Sequence, residues 1–276
     1  MLADVLDYLH CPHCEAELTL DGAVVRCDAG HSFDVARQGY VSLLPGTPRA
    51  GSGDSAQMVA AREAFLGAGH FEPLAEALVQ AAETGGEGCV LDLGAGIGWQ
   101  LARVLDSQPE RQGIALDVSR PALQRAARAH PRIGAVGCDI WGALPVRSGA
   151  AGLVLNVFAP RNGEEIARVM SSDGLLVVAT PTPRHLGELT GPLGLLSVDS
   201  RKPERLEREL GPGLELRSSG EREWRMSLGP GELETLVMMG PSGFHADRKE
   251  LRARIAALPE AVEVRASVTL SAWRSR

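Results

Sequence analysis

Leu91-Asp92-Leu93-Gly94-Ala95-Gly96-Ile97-Gly98-Trp99 decides how the rest of this 276-residue chain is read. An apolar run over 89–93 has the length of a strand, three glycines follow at alternate positions, and 100–105 continues with helical spacing. Glycines at a strand-to-helix turn let the backbone bend sharply and approach a ligand with no side chain in the way. A dinucleotide fingerprint is Gly-x-Gly-x-x-Gly. Here the third glycine arrives one residue early and Trp99 holds its place. That register points away from NAD and towards S-adenosylmethionine.

Working outward, residues 113–117, 133–136, 153–157 and 175–180 form further short apolar runs, separated by helical stretches at 121–129 and 164–170. Regular strand-helix alternation predicts a doubly wound parallel sheet. Upstream, 55–66 and 72–82 read as helices divided by Gly67-Ala68-Gly69-His70. Beyond residue 200 come a charged helix at 201–210, a strand within 214–228, helices at 232–239 and 249–258, and an alternating strand over 262–273. Two late strands added to five parallel ones predict a seven-stranded, Rossmann-like α/β sheet.

Three carboxylates fall in register with that sheet. Asp117 ends the second strand, where an acidic side chain can accept hydrogen bonds from ribose hydroxyls. The third strand runs into Gly137-Cys138-Asp139, which sets Asp139 towards an adenine edge. Asp92 precedes the glycines, where it could tie the loop or approach the amino-acid end of the cofactor. Together with Gly94, Gly96 and Gly98 they describe a site for a nucleoside cofactor.

The N-terminal segment carries a different chemistry. Cys11-Pro12-His13-Cys14 and Cys27-Asp28-Ala29-Gly30-His31 supply four ligands at the spacing of a structural zinc site, with a hairpin expected around Asp21-Gly22. Cys11, Cys14, Cys27 and His31 would close a tetrahedron and leave no open position, so the metal is assigned to structure; His13 is expected to point outward. Proline and glycine crowd 45–53, so the chain divides into a zinc ribbon at 1–44, a linker at 45–54 and a catalytic domain at 55–276.

Composition narrows the class. No apolar run approaches a membrane span and the start lacks a signal peptide's basic and apolar regions, so a cytoplasmic protein is expected, with Cys89 and Cys138 as reduced buried thiols. The net charge of −7 argues against a protein that binds nucleic acid by charge alone. Locally, Arg120, Arg125, Arg128 and Arg132 lie in a stretch without acids, a candidate phosphate face or a plain solvated helix.

With these segments in view, the whole chain resembles the bacterial large-subunit (23S) rRNA guanine-N1 methyltransferases of the RlmA/TlrB type. The resemblance is carried by Cys-Pro-x-Cys at 11–14, the segment Cys27 to His31, Phe33-Asp34-Val35-Ala36-Arg37-Gln38-Gly39-Tyr40-Val41, Gly53-Asp54-Ser55-Ala56, Gly69-His70-Phe71-Glu72-Pro73-Leu74, the glycine loop, Phe158-Ala159-Pro160, and Thr180-Pro181-Thr182-Pro183-Arg184-His185-Leu186. It implies a class I methyltransferase domain, S-adenosylmethionine as methyl donor, a guanine in a domain II hairpin of 23S rRNA (nucleotide 745 or 748) as acceptor, and a homodimer. The segment 156–162 and Gly240-Pro241-Ser242 resemble the tylosin-resistance branch, so macrolide resistance is a possible outcome. The resemblance also implies cofactor contacts from Phe71, Gly98, Trp99 and His185.

Transfer to N1 requires loss of the N1 proton and access to a base edge hidden in a stem, so the guanine must sit in a loop or be flipped out. Asp54 and Asp139 are candidate general bases, Phe158 a stacking ring, and Asn156 a base-edge partner; Trp141 and Trp224 are assigned to structure. Two other readings stay open on the residues: a small-molecule methyltransferase with a zinc cap, and a non-catalytic zinc or RNA-binding module. An NAD-dependent oxidoreductase fits least, because the glycine register is wrong for it.

Overall fold

The computed structural model describes residues 1–46, 53–196, 198–199, 202–244 and 247–276. Most of the linker at 45–54, and Arg201 at the head of the charged helix, lie outside the described residues. A small antiparallel sheet comes first: β1 (Leu18–Asp21), β2 (Val24–Cys27) and β3 (Ser32–Asp34). Pairing Asp21 with Val24 leaves Gly22-Ala23 as the hairpin loop, where Gly22 takes a positive φ of 60°.

The chain continues through β4 (Tyr40–Ser42), α1 (Ala56–Gly67), α2 (Glu72–Ala82), β5 (Cys89–Leu93), α3 (Trp99–Asp106), β6 (Gly113–Asp117), α4 (Arg120–Ala129), β7 (Ile133–Gly137), β8 (Ala151–Val157), α5 (Gly163–Val169) and β9 (Met170–Pro181). It ends with α6 (Gly187–Leu193), α7 (Lys202–Leu210), β10 (Leu214–Leu228), α8 (Pro230–Met239), α9 (Arg248–Ala256) and β11 (Val262–Ser275). The large sheet has the order β10-β11-β9-β8-β5-β6-β7-β4. Strands β4 to β9 pair in parallel, and β11 joins β9 and β10 antiparallel.

The sheet therefore has eight strands where the sequence predicts seven. The addition is β4, a three-residue strand from the N-terminal segment that pairs with residues 135–137 of β7 and covers that edge. The same segment is seated further along: the backbone N–H of His10 donates to Pro145, that of Arg147 to Tyr8, and the Arg147 guanidinium to the Leu9 carbonyl.

Both faces of the central strands β5 to β8 are buried, as parallel strands require. Alternate residues of β5 divide between them: Val90 joins the core formed with α1 to α4 and α8, while Cys89, Leu91 and Leu93 join Val5, Leu9, Val25 and Val41 on the other side. This arrangement leaves the carboxyl ends of β5 to β8 open, with β5 flanked by β8 and β6 where the strand order reverses, the location at which open α/β sheets bind ligands.

Candidate functional site: a zinc cluster and a strand-end cavity

Two turns bring the four predicted metal ligands together, and all four ligand atoms lie within 4.8 Å of one another. The Nδ1 of His31 sits 3.4 Å from the sulfurs of Cys14 and Cys27 and 3.5 Å from that of Cys11, and the Cys14 and Cys27 sulfurs are 3.6 Å apart. Tetrahedral zinc with its ordinary bond lengths sets such ligand atoms roughly 3.5–3.8 Å apart. The donor set therefore fits zinc in size and in chemistry. His13 is exposed, its ring stacked at 5.9 Å on Phe33.

The second site is built around the glycine loop. Gly94, Gly96 and Gly98 all have positive φ, which glycine adopts without strain. A Cβ on Gly94 would stand 2.7 Å from Ala159 of the loop after β8, so that glycine also permits close approach of two strand ends. Asp117 holds the turn: its Oδ2 accepts from the Gly96 N–H and its Oδ1 from that of Ser119, each at 2.8 Å. Burial raises the Asp117 pKa against those two hydrogen bonds. Behind the loop, Asp92 is 2% exposed; burial, with the nearby Asp117 charge, pushes its pKa up to about 7.

In front of the loop lies a cavity of about 800 Å³. Of the residues singled out from sequence, Phe71, Gly94, Gly96, Phe158 and His185 line it. Phe71 is buried; it meets Trp224 edge-on at 5.3 Å, Phe158 at 6.2 Å and His185 at 6.4 Å. Phe158 is 42% exposed and has a φ of 54°, costly for a bulky residue. His185 accepts from the Ser267 N–H at Nδ1, which places a neutral ring's proton on Nε2. Gly98 and Trp99 lie at the head of α3, with the Arg103 guanidinium over the indole. They shape the loop without lining the cavity.

Several expectations need correction. Asn156 is fully buried and its amide is committed to its own loop: Nδ2 donates to the Pro160 carbonyl at 2.8 Å and Oδ1 accepts from Arg161 Nε at 3.1 Å, so it is not presented to a base. Asp54 is paired with Arg62, and Asp139 accepts from the Trp141 N–H at 3.0 Å in a tight turn; neither lines the cavity. Arg132 donates to the carbonyls of Gln108 and Arg111, and Arg125 pairs with Glu63, which removes two members of the candidate phosphate face. Trp141, assigned to structure from sequence, is 63% exposed and lines the cavity. Trp224 is structural, its indole N–H donating to the His70 carbonyl at 2.7 Å. Sequence reasoning also missed Arg62 and Arg161 in the cavity wall. A lone arginine on a helix or in a loop has no pattern to announce it.

Comparison with known proteins agrees with this anatomy. Residues 9–49 match the zinc-ribbon model of the RlmA N-terminal region. The 23S rRNA (guanine(748)-N(1))-methyltransferase of Streptomyces fradiae is 46% identical over 278 residues, covering 99% of both chains. A Micromonospora griseorubida protein named for 23S rRNA guanine-N1 methyl transfer is 48% identical over 295 residues, again covering 99% of both. Among solved structures, the methyltransferase complex with the Trm112 activator of Haloferax volcanii superposes with a TM-score of 0.50 at 18% identity, over 83% of this chain and 99% of that one, and shares the fold. The chain belongs to the 23S rRNA (guanine-N1)-methyltransferase family of the RlmA/TlrB type.

Proposed function

We propose that this protein methylates N1 of a guanine in the domain II hairpin of 23S rRNA, at the 748-type position, with S-adenosylmethionine as donor. The observation that carries the reading is the cavity, which runs from a glycine loop fit for a nucleoside to a half-exposed aromatic ring on the loop after β8. Its volume lies within the range of small-ligand sites. When bound, the cofactor supplies an already activated methyl group.

In this reading Gly94 and Gly96 face the cofactor, Gly98 and Trp99 shape the loop behind them, Asp117 takes the ribose hydroxyls, the exposed Asp139 meets the adenine edge where it extends beyond the cavity, and Asp92 backs the loop. Phe71 and His185 wall the end nearer the acceptor. Phe158 stacks on the extruded guanine, a contact worth about 1–3 kcal/mol for an unpaired base. Asp54 is held by Arg62 of α1 and Asp139 by its own turn, and neither lines the cavity, so the N1 proton passes to water. Cys11, Cys14, Cys27 and His31 hold a structural zinc.

The division into ribbon (1–44), linker (45–54) and methyltransferase domain (55–276) belongs to the same proposal, as do a homodimer whose ribbons flank the RNA, a cytoplasmic site of action, and reduced macrolide (tylosin) binding to modified ribosomes. Primer extension on undermodified 23S rRNA treated with enzyme and S-adenosylmethionine tests it, because N1 methylation stops reverse transcription. A stop at a domain II hairpin guanine is expected. A fully extended product would refute the substrate assignment.

A further inference from the structure

Arg161 is the most deeply buried cation of the cavity wall. Its side chain is 9% exposed, compared with 27% for Arg62 and 48% for Arg205. A guanidinium carries five N–H donors, and burying it is costly unless they find acceptors. Three partners hold it: Nε donates to Asn156 Oδ1 at 3.1 Å, Nη1 to Glu209 at 3.2 Å and Nη2 to the Ala159 carbonyl at 3.3 Å. One hydrogen on each terminal nitrogen is left without an acceptor among the described residues. The guanidinium is thus immobilised, with two of its five N–H donors unspent, and forms part of the wall beside Phe158.

We propose that Arg161 reads the O6 and N7 edge of the target guanine and stabilises the negative charge that reaches O6 when N1 loses its proton. The inference rests on the methyltransferase reading above and names the residue that makes it guanine-specific. Two parallel donors match O6 and N7 of guanine, whereas adenine offers a donor of its own at the O6 position and is rejected.

The chemistry gives the same residue a second task. Loss of the N1 proton to water spreads negative charge over N1 and O6. The N1–carbon bond then forms as the sulfur–carbon bond breaks, the electron pair stays on sulfur as a neutral thioether, and O6 returns to a carbonyl. A fixed cation at O6 is worth more to the anion than to the neutral base, which is the condition for accelerating the step. Asn156 and Glu209 are positioning residues: the amide sets the plane of the fork, and the carboxylate withdraws part of its charge. Burial lowers the Arg161 pKa, with Glu209 opposing that effect.

Single-turnover methylation of a 23S rRNA fragment, followed across pH with wild type, Arg161→Lys, Arg161→Gln and Glu209→Gln, tests this. S-adenosylhomocysteine affinity, measured by calorimetry, should stay unchanged in all four proteins and reports folding of the cofactor site. Arg161→Gln is expected to lower the rate near neutral pH by about 10–100-fold, the cost of a lost bidentate base contact, and to recover at alkaline pH. Its pH plateau should move upward, and that of Glu209→Gln downward, because removing the carboxylate's charge strengthens the cation. Arg161→Lys keeps the charge without the fork and should fall between wild type and Arg161→Gln. A purely structural clamp would slow all three variants with no shift in profile. Unshifted profiles alongside an active wild type overturn the inference and leave the proposed function standing. An inactive wild type takes both down.

Discussion

The Asp117 carboxylate binds the Gly96 backbone N–H at 2.8 Å, so the side chain at the end of β6 fixes the glycine loop that follows β5. Its other oxygen holds Ser119, which caps α4 by accepting from the Ala122 N–H. Each carboxylate oxygen accepts one N–H and retains a lone pair for a ligand hydroxyl. Asparagine would turn a donor against one of those N–H groups. Hydrogen bonds to a charged group are worth about 1.5–3 kcal/mol, so Asp117→Asn should weaken S-adenosylhomocysteine binding by about 10–100-fold. Calorimetry on folded variant checks this, and unaltered affinity would remove Asp117 from the site.

Asp92 makes stability fall as pH rises. Its pKa in the folded chain is about 7, above the ordinary 3.8, because burial penalises the charged form and Asp117 lies nearby. Its contribution is therefore complete below about pH 4 and is lost as pH rises through 7. The gap corresponds to ~4 kcal/mol in full. Asp92→Asn, which stays neutral, should lose part of the decline between pH 5 and pH 8 seen in urea unfolding of the wild type. Parallel curves for the two proteins would show that Asp92 does not titrate there.

The sheet's spine was legible because its buried parallel strands are short and mostly apolar, with a single carboxylate at or near the end of β5 and β6, and are separated by helices of contrasting period. Residues 113–117 show this directly, and β6 has those bounds. The strand at 40–42 was not legible: three residues carry no period, and its partner in β7 is distant in sequence. Side-chain roles were harder still. Asn156 at a strand end reads equally well as a ligand contact or a turn-former, and only the backbone path that returns Pro160 to its amide decides between them. Trp141 is one exposed ring in a loop. Nothing in its neighbours signals a cavity wall.

Val5 and Gly134 test whether the N-terminal segment is part of the catalytic fold. A Cβ on Gly134 would lie 2.2 Å from Val5 Cγ2, so this glycine exists to admit Val5 onto β7. Overpacking of this kind costs about 1–3 kcal/mol. Gly134→Ala should lower the urea midpoint, and adding Val5→Ala should restore part of it. A double variant no more stable than the single one would mean that the two residues do not share a packed contact.

Removing the metal should unfold the ribbon and spare the cofactor site. Cys27 closes β2 and supplies one of four ligands, and structural zinc sites of this size are unfolded without their ion. In Cys27→Ser, zinc content by mass spectrometry should drop from about one ion per chain towards zero. Limited proteolysis should then cut within residues 10–35, while S-adenosylhomocysteine still binds at the strand ends. A metal-free variant that keeps its ribbon protease-resistant would rule out a structural role for zinc.

Phe158 separates stability from activity. Its positive φ of 54° costs of order 1–3 kcal/mol, and glycine would relieve that strain. Glycine also loses the ring's contacts with Phe71 and His185, and it adds about 0.5–1 kcal/mol of backbone entropy in the unfolded chain. These terms offset one another, so Phe158→Gly should unfold within about 1 kcal/mol of wild type. The stacking surface for an extruded base is gone, however, at about 1–3 kcal/mol per base. Methylation of the rRNA fragment at subsaturating RNA should therefore fall about 10-fold or more, with cofactor affinity retained. A variant as active as wild type would show that the strained ring serves the wall of the cavity and not the substrate.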